Sequence, residues 1–288
     1  MAKPLNPHLH PVRPDLAAWS YKGQYKAKSY VRGSLKTLRT DIQPLMSAPS
    51  GEAGRKTEVL YGESMMVFEV RDDGWAWVQC QTDSYVGWLP ASSLGEVIDP
   101  THKVAVQRTF RYPEANLKTG PVGMISLGSQ VKVTGIEING TLSYGRLSDG
   151  SFVVVDHLQL LNTFVKDWVS IAEKLVGIPY LWGGRSTLGL DCSALVQMCA
   201  QCGGHALLRD AYMQEGTAGI ALDLTQGLPE LKRGDLIFWK GHVGILSDPK
   251  TLLHANGYTM SVAYETFDKA VERIRTSEFG EVTSIRRL

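Results

Sequence analysis

Cysteine is scarce in this chain: four among 288 residues, at positions 80, 192, 199 and 202. A chain this long with so few cysteines is not held by a disulfide framework. An excess of one charge is missing too, since 30 Lys and Arg face 29 Asp and Glu for a formal net charge of +1. That balance gives no electrostatic reason to expect nucleic acid or an anionic membrane as partner. No run of about 18 apolar residues occurs, so no segment reads as membrane-spanning. The opening stretch, M-A-K-P-L-N-P-H-L-H-P-V-R-P, contains no apolar signal-peptide core. These absences lead us to expect a cytoplasmic protein with reduced thiols. What is present is ordinary globular composition, 43% hydrophobic and 20% charged, in a length that allows about two domains, or more if they are small.

The character of the chain changes along its length. Residues 1–40 open Pro-rich (Pro4, Pro7, Pro11, Pro14) and continue into a mixed basic stretch, which reads as an arm lying over a domain. Residues 41–98 carry short β-prone runs at 59–61, 65–70, 75–79 and 85–89. Gly62-Glu63, Asp72-Asp73-Gly74 and Thr82-Asp83-Ser84 separate them as turns. Short strands at this spacing indicate a small β-barrel. Residues 99–161 repeat the plan: G-E-S-M-M-V at 62–67 matches G-S-Q-V-K-V at 128–133. Trp88 with Leu94 six residues on matches Phe152 with Leu158. Both segments resemble bacterial SH3-like modules, the G-W-x-x-x-x-x-L ending carrying most of the likeness. Residues 162–288 differ. An amphipathic helix is expected over 165–176, stopped by Gly177 with Pro179 beyond. A glycine loop, a second helix and strands at 235–239, 243–246 and 252–255 follow, an α+β layout.

The chemistry gathers in this last segment. Y-L-W-G-G-R-S-T-L-G-L-D-C-S runs from Tyr180 into Asp191, Cys192 and Ser193, and apolar residues then recur at helical spacing. Asp191 is a good helix N-cap, which puts Cys192 in the first turn. Free backbone N–H groups and the positive end of the helix dipole favour a thiolate there, so a lowered thiol pKa is expected. On residue statistics alone a buried structural cysteine is the commoner outcome. Two histidines shift the balance. His242 and His254 lie twelve residues apart, an even number, on strands joined by one turn at 247–251, so both can point to one face of the sheet. A thiol nucleophile needs a base, and the base needs a group to orient it. Cys192, His242 and His254 supply the three. Cys199-x-x-Cys202 lacks a second pair for zinc and reads as helix packing.

The pattern Tyr180-x-Trp182-Gly183-Gly184, Asp191-Cys192-Ser193, Gly241-His242-Val243-Gly244-Ile245, then His254, resembles the NlpC/P60 family of papain-like cysteine peptidases. With two SH3-like barrels ahead of it, the arrangement is similar to the γ-D-glutamyl-L-diamino acid peptidases of the dipeptidyl-peptidase VI type. The resemblance implies a papain-like catalytic domain over 162–288. The arm read over 1–40 precedes these barrels, expected over 41–98 and 99–161. The resemblance implies hydrolysis of the γ-D-glutamyl–diamino-acid amide in wall stem peptides such as L-Ala-γ-D-Glu-meso-diaminopimelate, in murein recycling, with no metal or organic cofactor. It also places substrate contacts. Tyr180 would lie near the oxyanion, and Asp191 and Ser193 would meet the substrate. Asp210 and Ala211 would line the cleft in Leu208-Arg209-Asp210-Ala211, which has Leu where the family usually has Pro. Glu63 and Tyr85 of the first barrel would face the cleft and hold the substrate's amino terminus. Two other readings stay open: an acyltransferase or amidase on the same scaffold, and a wall-peptide-binding protein without catalysis.

Overall fold

The structure is a computed structural model that describes residues 5–225, 227–277 and 279–288; Pro4 of the proline-rich opening lies outside the described residues. The chain divides into two compact units between Thr163 and Phe164. In the first, Ser34–Leu38, Ile42–Met46, Arg55–Leu60, Ser64–Val70, Trp75–Cys80, Val86–Pro90 and Leu94–Gly95 form one antiparallel sheet. Its first strand comes from the stretch expected to belong to the arm. Lys36, one of the basic residues that made this stretch read as surface, reaches out to Glu96 at 2.8 Å, while Thr37 and Leu38 are fully buried. The arm ahead of it is docked. Val86 N–H donates to the His8 carbonyl at 2.8 Å, and the Arg13 guanidinium lies 4.3 Å from the Trp77 ring and 4.9 Å from Trp88.

Residues 102–160 form three small sheets rather than one continuous ladder. The repeat seen in the sequence has a backbone counterpart. A one-turn 3₁₀ helix joins Val86–Pro90 to Leu94–Gly95, and another joins Phe152–Val154 to Leu158–Leu160. Gly62 and Gly128 both turn at positive φ, +80° and +85°. The two halves of this unit share an interior. Tyr61 packs with Val104, Ile125, Val131, Leu147 and Val153, and its hydroxyl donates to Asp149 at 2.6 Å. The neighbouring Gly62 has no substitute, because a Cβ there would stand 1.8 Å from the Gln130 carbonyl oxygen.

Among the described residues the second unit has four helices, α1 (Val169–Glu173), α2 (Cys192–Cys202), α3 (Ala211–Thr217) and α4 (Phe267–Ser277). Its six-stranded sheet comprises β1 (Ile220–Ala221), β2 (Leu236–Trp239), β3 (His242–Asp248), β4 (Thr251–Asn256), β5 (Ser261–Thr266) and β6 (Ser284–Arg287). The strand order is β1-β6-β2-β3-β4-β5, antiparallel throughout. The helix expected over 165–176 shrinks to α1. Trp168 stands at its N-cap place with no side-chain cap bond, and Gly177 turns away at φ +87°. α2 packs on β3 and β4 with Ala194, Leu195 and Val196 wholly buried, and α4 packs on β4 and β5. Ile237, Trp239, Leu246, Leu252, Phe267 and Ile274 form the core under α4. No described helix is long and apolar enough to cross a membrane.

Candidate active site

Asp191 starts α2 from an extended backbone (φ −91°, ψ 175°), and its carboxylate accepts from Ala194 N–H at 2.8 Å. Cys192 is therefore the first helical residue. Asp191 also accepts from Gly183 N–H at 3.0 Å, from the Ser193 hydroxyl at 3.2 Å, and from both terminal nitrogens of Arg209 at 2.9 and 2.7 Å. A carboxylate has about four lone-pair directions. Asp191 is fully committed to bracing the glycine loop and the helix start. Ser193 is braced with it, its oxygen accepting from Arg209 at 2.9 Å. The loop closes only because Gly184 lacks a side chain: a Cβ there would meet the Gly189 carbonyl oxygen at 2.5 Å.

The Cys192 thiol is pushed up to about 12, by burial first and then by the Asp191 charge; the Val243 and Ser193 N–H groups and Arg209 oppose this only in part. This corrects the expectation of a lowered thiol pKa. Helix-end stabilisation falls off within a turn and is modest, whereas desolvating a charge in a closed site costs more.

The histidines meet. From the pairing of Leu246 with Leu252, alternation puts His242 and Gly244 on the same face as His254. His242 Nε2 lies 2.9 Å from His254 Nδ1. A Cβ on Gly244 would come within 2.7 Å of Leu252 Cδ1 and 3.3 Å of His254 Cβ, so glycine opens the space that His254 occupies. The chain of contacts continues: His254 Nε2 is 3.3 Å from Glu265 Oε2, and Arg273 grips Glu265 with Nε at 3.0 Å and Nη2 at 2.7 Å. Phe279 stacks on His242 at 5.4 Å and 10°, with Trp239 tilted at 5.7 Å. Burial, then the neighbouring His254 and Arg273, push His242 down to about 3; burial lowers His254 as well. His254 and Arg273 hold Glu265 down to about 2.

Cys192 and His242 line one cavity of about 600 Å³ with Tyr180, Trp182, Tyr258 and Phe279. Trp182 and Tyr258 stand at its mouth, 73% and 72% exposed. Asp210 and Ala211 are not among the lining residues: Asp210 starts α3, its carbonyl accepting from Met213 and Gln214 N–H, and Ala211 is buried behind it. Glu63 and Tyr85 sit in the first unit. The buried Glu63 carboxylate accepts from Leu60 N–H at 2.8 Å and from the Thr82 hydroxyl at 2.9 Å. The Tyr85 hydroxyl meets His8 Nδ1 at 3.3 Å. Sequence reasoning missed what Arg209, Glu265, Arg273 and Phe279 do. Arg209 was visible only as part of the L-R-D-A segment, and the other three come from stretches with no motif.

A model described as the NlpC/P60 family matches residues 177–279, and one described as the bacterial dipeptidyl-peptidase Sh3 domain matches 45–94. The probable endopeptidase NlpC of Escherichia coli (strain K12) is 30% identical over 118 residues, which cover 38% of this chain and 67% of that protein. The chain belongs to the NlpC/P60 family. It is thus a cysteine peptidase, with an SH3 domain ahead of the NlpC/P60 domain. Over more of its length this NlpC/P60 chain is similar to the gamma-D-glutamyl-L-lysine dipeptidyl-peptidase of Bacillus subtilis (strain 168), 25% identical over 242 residues, 75% of this chain and 77% of that one. It shares its fold with the crystal structure of an NlpC/P60 family protein from Bacillus cereus ATCC 10987. The TM-score is 0.70 at 18% identity, covering 88% of this chain and 99% of that one.

Proposed function

We propose that this NlpC/P60 peptidase hydrolyses the γ-D-glutamyl–diamino-acid amide of wall stem peptides that carry a free N-terminal L-alanine. One observation carries the chemistry: two imidazoles joined at 2.9 Å share a cavity with a thiol at the head of a buried helix. Burial keeps both thiol and imidazole neutral before substrate arrives. In the proposal the proton passes from Sγ to His242 as sulfur attacks the γ-carbonyl, which is general-base assistance rather than a standing ion pair. The Cys192 N–H at the helix start and Tyr180 stabilise the oxyanion. His242 then protonates the leaving amine, and water hydrolyses the thioester. His254 orients His242, and Asp191 and Ser193 hold the nucleophile's helix. The substrate class is supported by the name of the Bacillus subtilis relative and by the SH3 domain of the dipeptidyl-peptidase kind. Glu63 and Tyr85 contact the substrate's amino terminus in this reading, and Asp210 and Ala211 shape the approach to it. We read residues 99–161 as a second SH3-like module, supported by the repeated strand, 3₁₀ turn and strand. A cytoplasmic role in recycling released wall peptides is part of the proposal, and finding the chain outside the cytoplasmic fraction would remove it.

Mass spectrometry of products from L-Ala-γ-D-Glu-meso-diaminopimelate tests the core of this. Wild type should release L-Ala-γ-D-Glu, and Cys192→Ala should lose about 10³-fold or more in kcat. Unchanged cleavage by that variant would remove Cys192 from the mechanism and leave the wall-peptide-binding reading. Capture of the acyl group by an added amine in preference to water would favour the acyltransferase reading.

A further inference from the structure

An imidazole that takes a proton from a thiol must present a bare nitrogen to it and carry its own proton on the other. In His242 the Nε2 is engaged with His254, so the working base is the form protonated at Nε2 and bare at Nδ1. His254 must then accept at Nδ1, and its own proton must sit on Nε2. Neutral imidazoles do not choose between tautomers unaided; the partner of the far nitrogen decides. For His254 that nitrogen is buried, has no well-aligned hydrogen-bond partner among the described residues, and stands 3.3 Å from Glu265 Oε2.

We propose that Glu265, anchored by Arg273, is a positioning residue that sets the proton arrangement of both histidines. An ionised carboxylate only accepts. It selects the Nε2–H form of His254, which leaves Nδ1 as acceptor, which in turn selects the Nε2–H form of His242 with Nδ1 free for the thiol. The fold delivers Glu265 to this place. Ala263 of β5 pairs with His254, and Glu265 lies two residues further on, therefore on the same face as His254. Arg273, on α4, holds the carboxylate through two nitrogens and fixes its direction. Glu265 does not line the cavity, so it acts through His254 and not on substrate. The inference rests on the proposed roles of Cys192 and His242.

The test is Glu265→Gln in the full chain. Arg273 donates to both carboxylate oxygens, and its Nη2 shares Oε2 with His254, so an amide, with one oxygen, deprives one of these donors of its acceptor. With the NH₂ in the place of Oε2, His254 must accept at Nε2 and donate from Nδ1, which drives the His242 proton to Nδ1, where no lone pair is left for the thiol. Expected are a loss of about 10²-fold in kcat, in the range of general-base effects, and a KM within about twofold. The ¹⁵N shifts of the ring nitrogens of both histidines should exchange protonated for bare positions. Glu265→Asp, which keeps an acceptor, should keep the wild-type ¹⁵N pattern. Wild-type spectra showing His254 protonated at Nδ1 would overturn the proposal, and so would a Gln variant with unchanged tautomers and kcat. Should that variant not fold, the wild-type spectrum alone decides. These spectra are recorded without substrate and judge Glu265 separately, whereas an active Cys192→Ala would sink the underlying mechanism.

Discussion

Cys192 and His242 are both held neutral, by the same cause acting in opposite directions. Each therefore links stability to pH. The His242 imidazole titrates near 6.5 in the unfolded chain and near 3 in the folded one. Between those values the unfolded state binds a proton that the native state does not. Stability should fall on acidification through this window, by up to about 1.4 kcal/mol per pH unit from this one group. His254 is lowered too and adds in the same direction. At the other end, the unfolded thiol ionises near 9 and the native one near 12, so stability falls again as pH rises past 9. Urea unfolding from pH 7.5 down to 4.5 should show the acid limb, and His242→Gln should flatten it; an equal slope in both proteins would mean that His242 is not buried neutral. The thiol and both histidines were legible because each sits in a motif. The direction of the thiol shift was not, because the burial of Cys192 depends on elements that lie far from it along the chain, the Val243 strand packed on α2 among them.

The β3–β4 hairpin does the positioning at the level of elements. The even separation does not do this alone: the turn pairs Asp248 with Thr251, a register that would put the histidines on opposite faces, and the irregularity between Leu246 and Asp248 shifts it so that they share one. The narrower fact is Gly244, which sits where any side chain would strike Leu252 and crowd His254. Gly244→Ala should overpack this spot and cost about 1–3 kcal/mol of stability. It should also lower kcat by roughly tenfold by displacing the orienting imidazole. Urea midpoints and steady-state rates check both, and a variant with wild-type kcat would separate Gly244 from the site. β5 and α4 were not read from the sequence. The loop at 257–260 hides the register of the strand after it, so the approach of Glu265 to His254 emerges only with the sheet assembled. α1 is shorter than the apolar spacing suggested: Trp168 at its N-cap place makes no side-chain cap bond, and the chain turns away at Gly177.

At the scale of the whole molecule, the NlpC/P60 domain supplies the chemistry, and the proposal gives the choice of peptide end to the first unit. If Glu63 receives the substrate ammonium, N-acetylating the substrate's alanine should abolish turnover. Glu63→Gln should raise KM for the free peptide about tenfold, the scale of one charge-assisted contact. Comparable rates on acetylated and free peptides would refute that role. The repeated β plan was readable from its turn residues and its closing Trp-to-Leu spacing. The membership of Ser34–Leu38 in the sheet was not, because Lys36 and its neighbours gave it the composition of a surface arm.

Tyr61 belongs to the leading seven-stranded sheet by position but lies in the apolar interior of the segment that follows, and Gly62 lets the two backbones close on each other. Excising residues 99–161 would strip the cover from an aromatic ring, and excising the leading sheet would leave a hole where that ring had been. A chain that lacks either half should therefore unfold more easily than one that carries both.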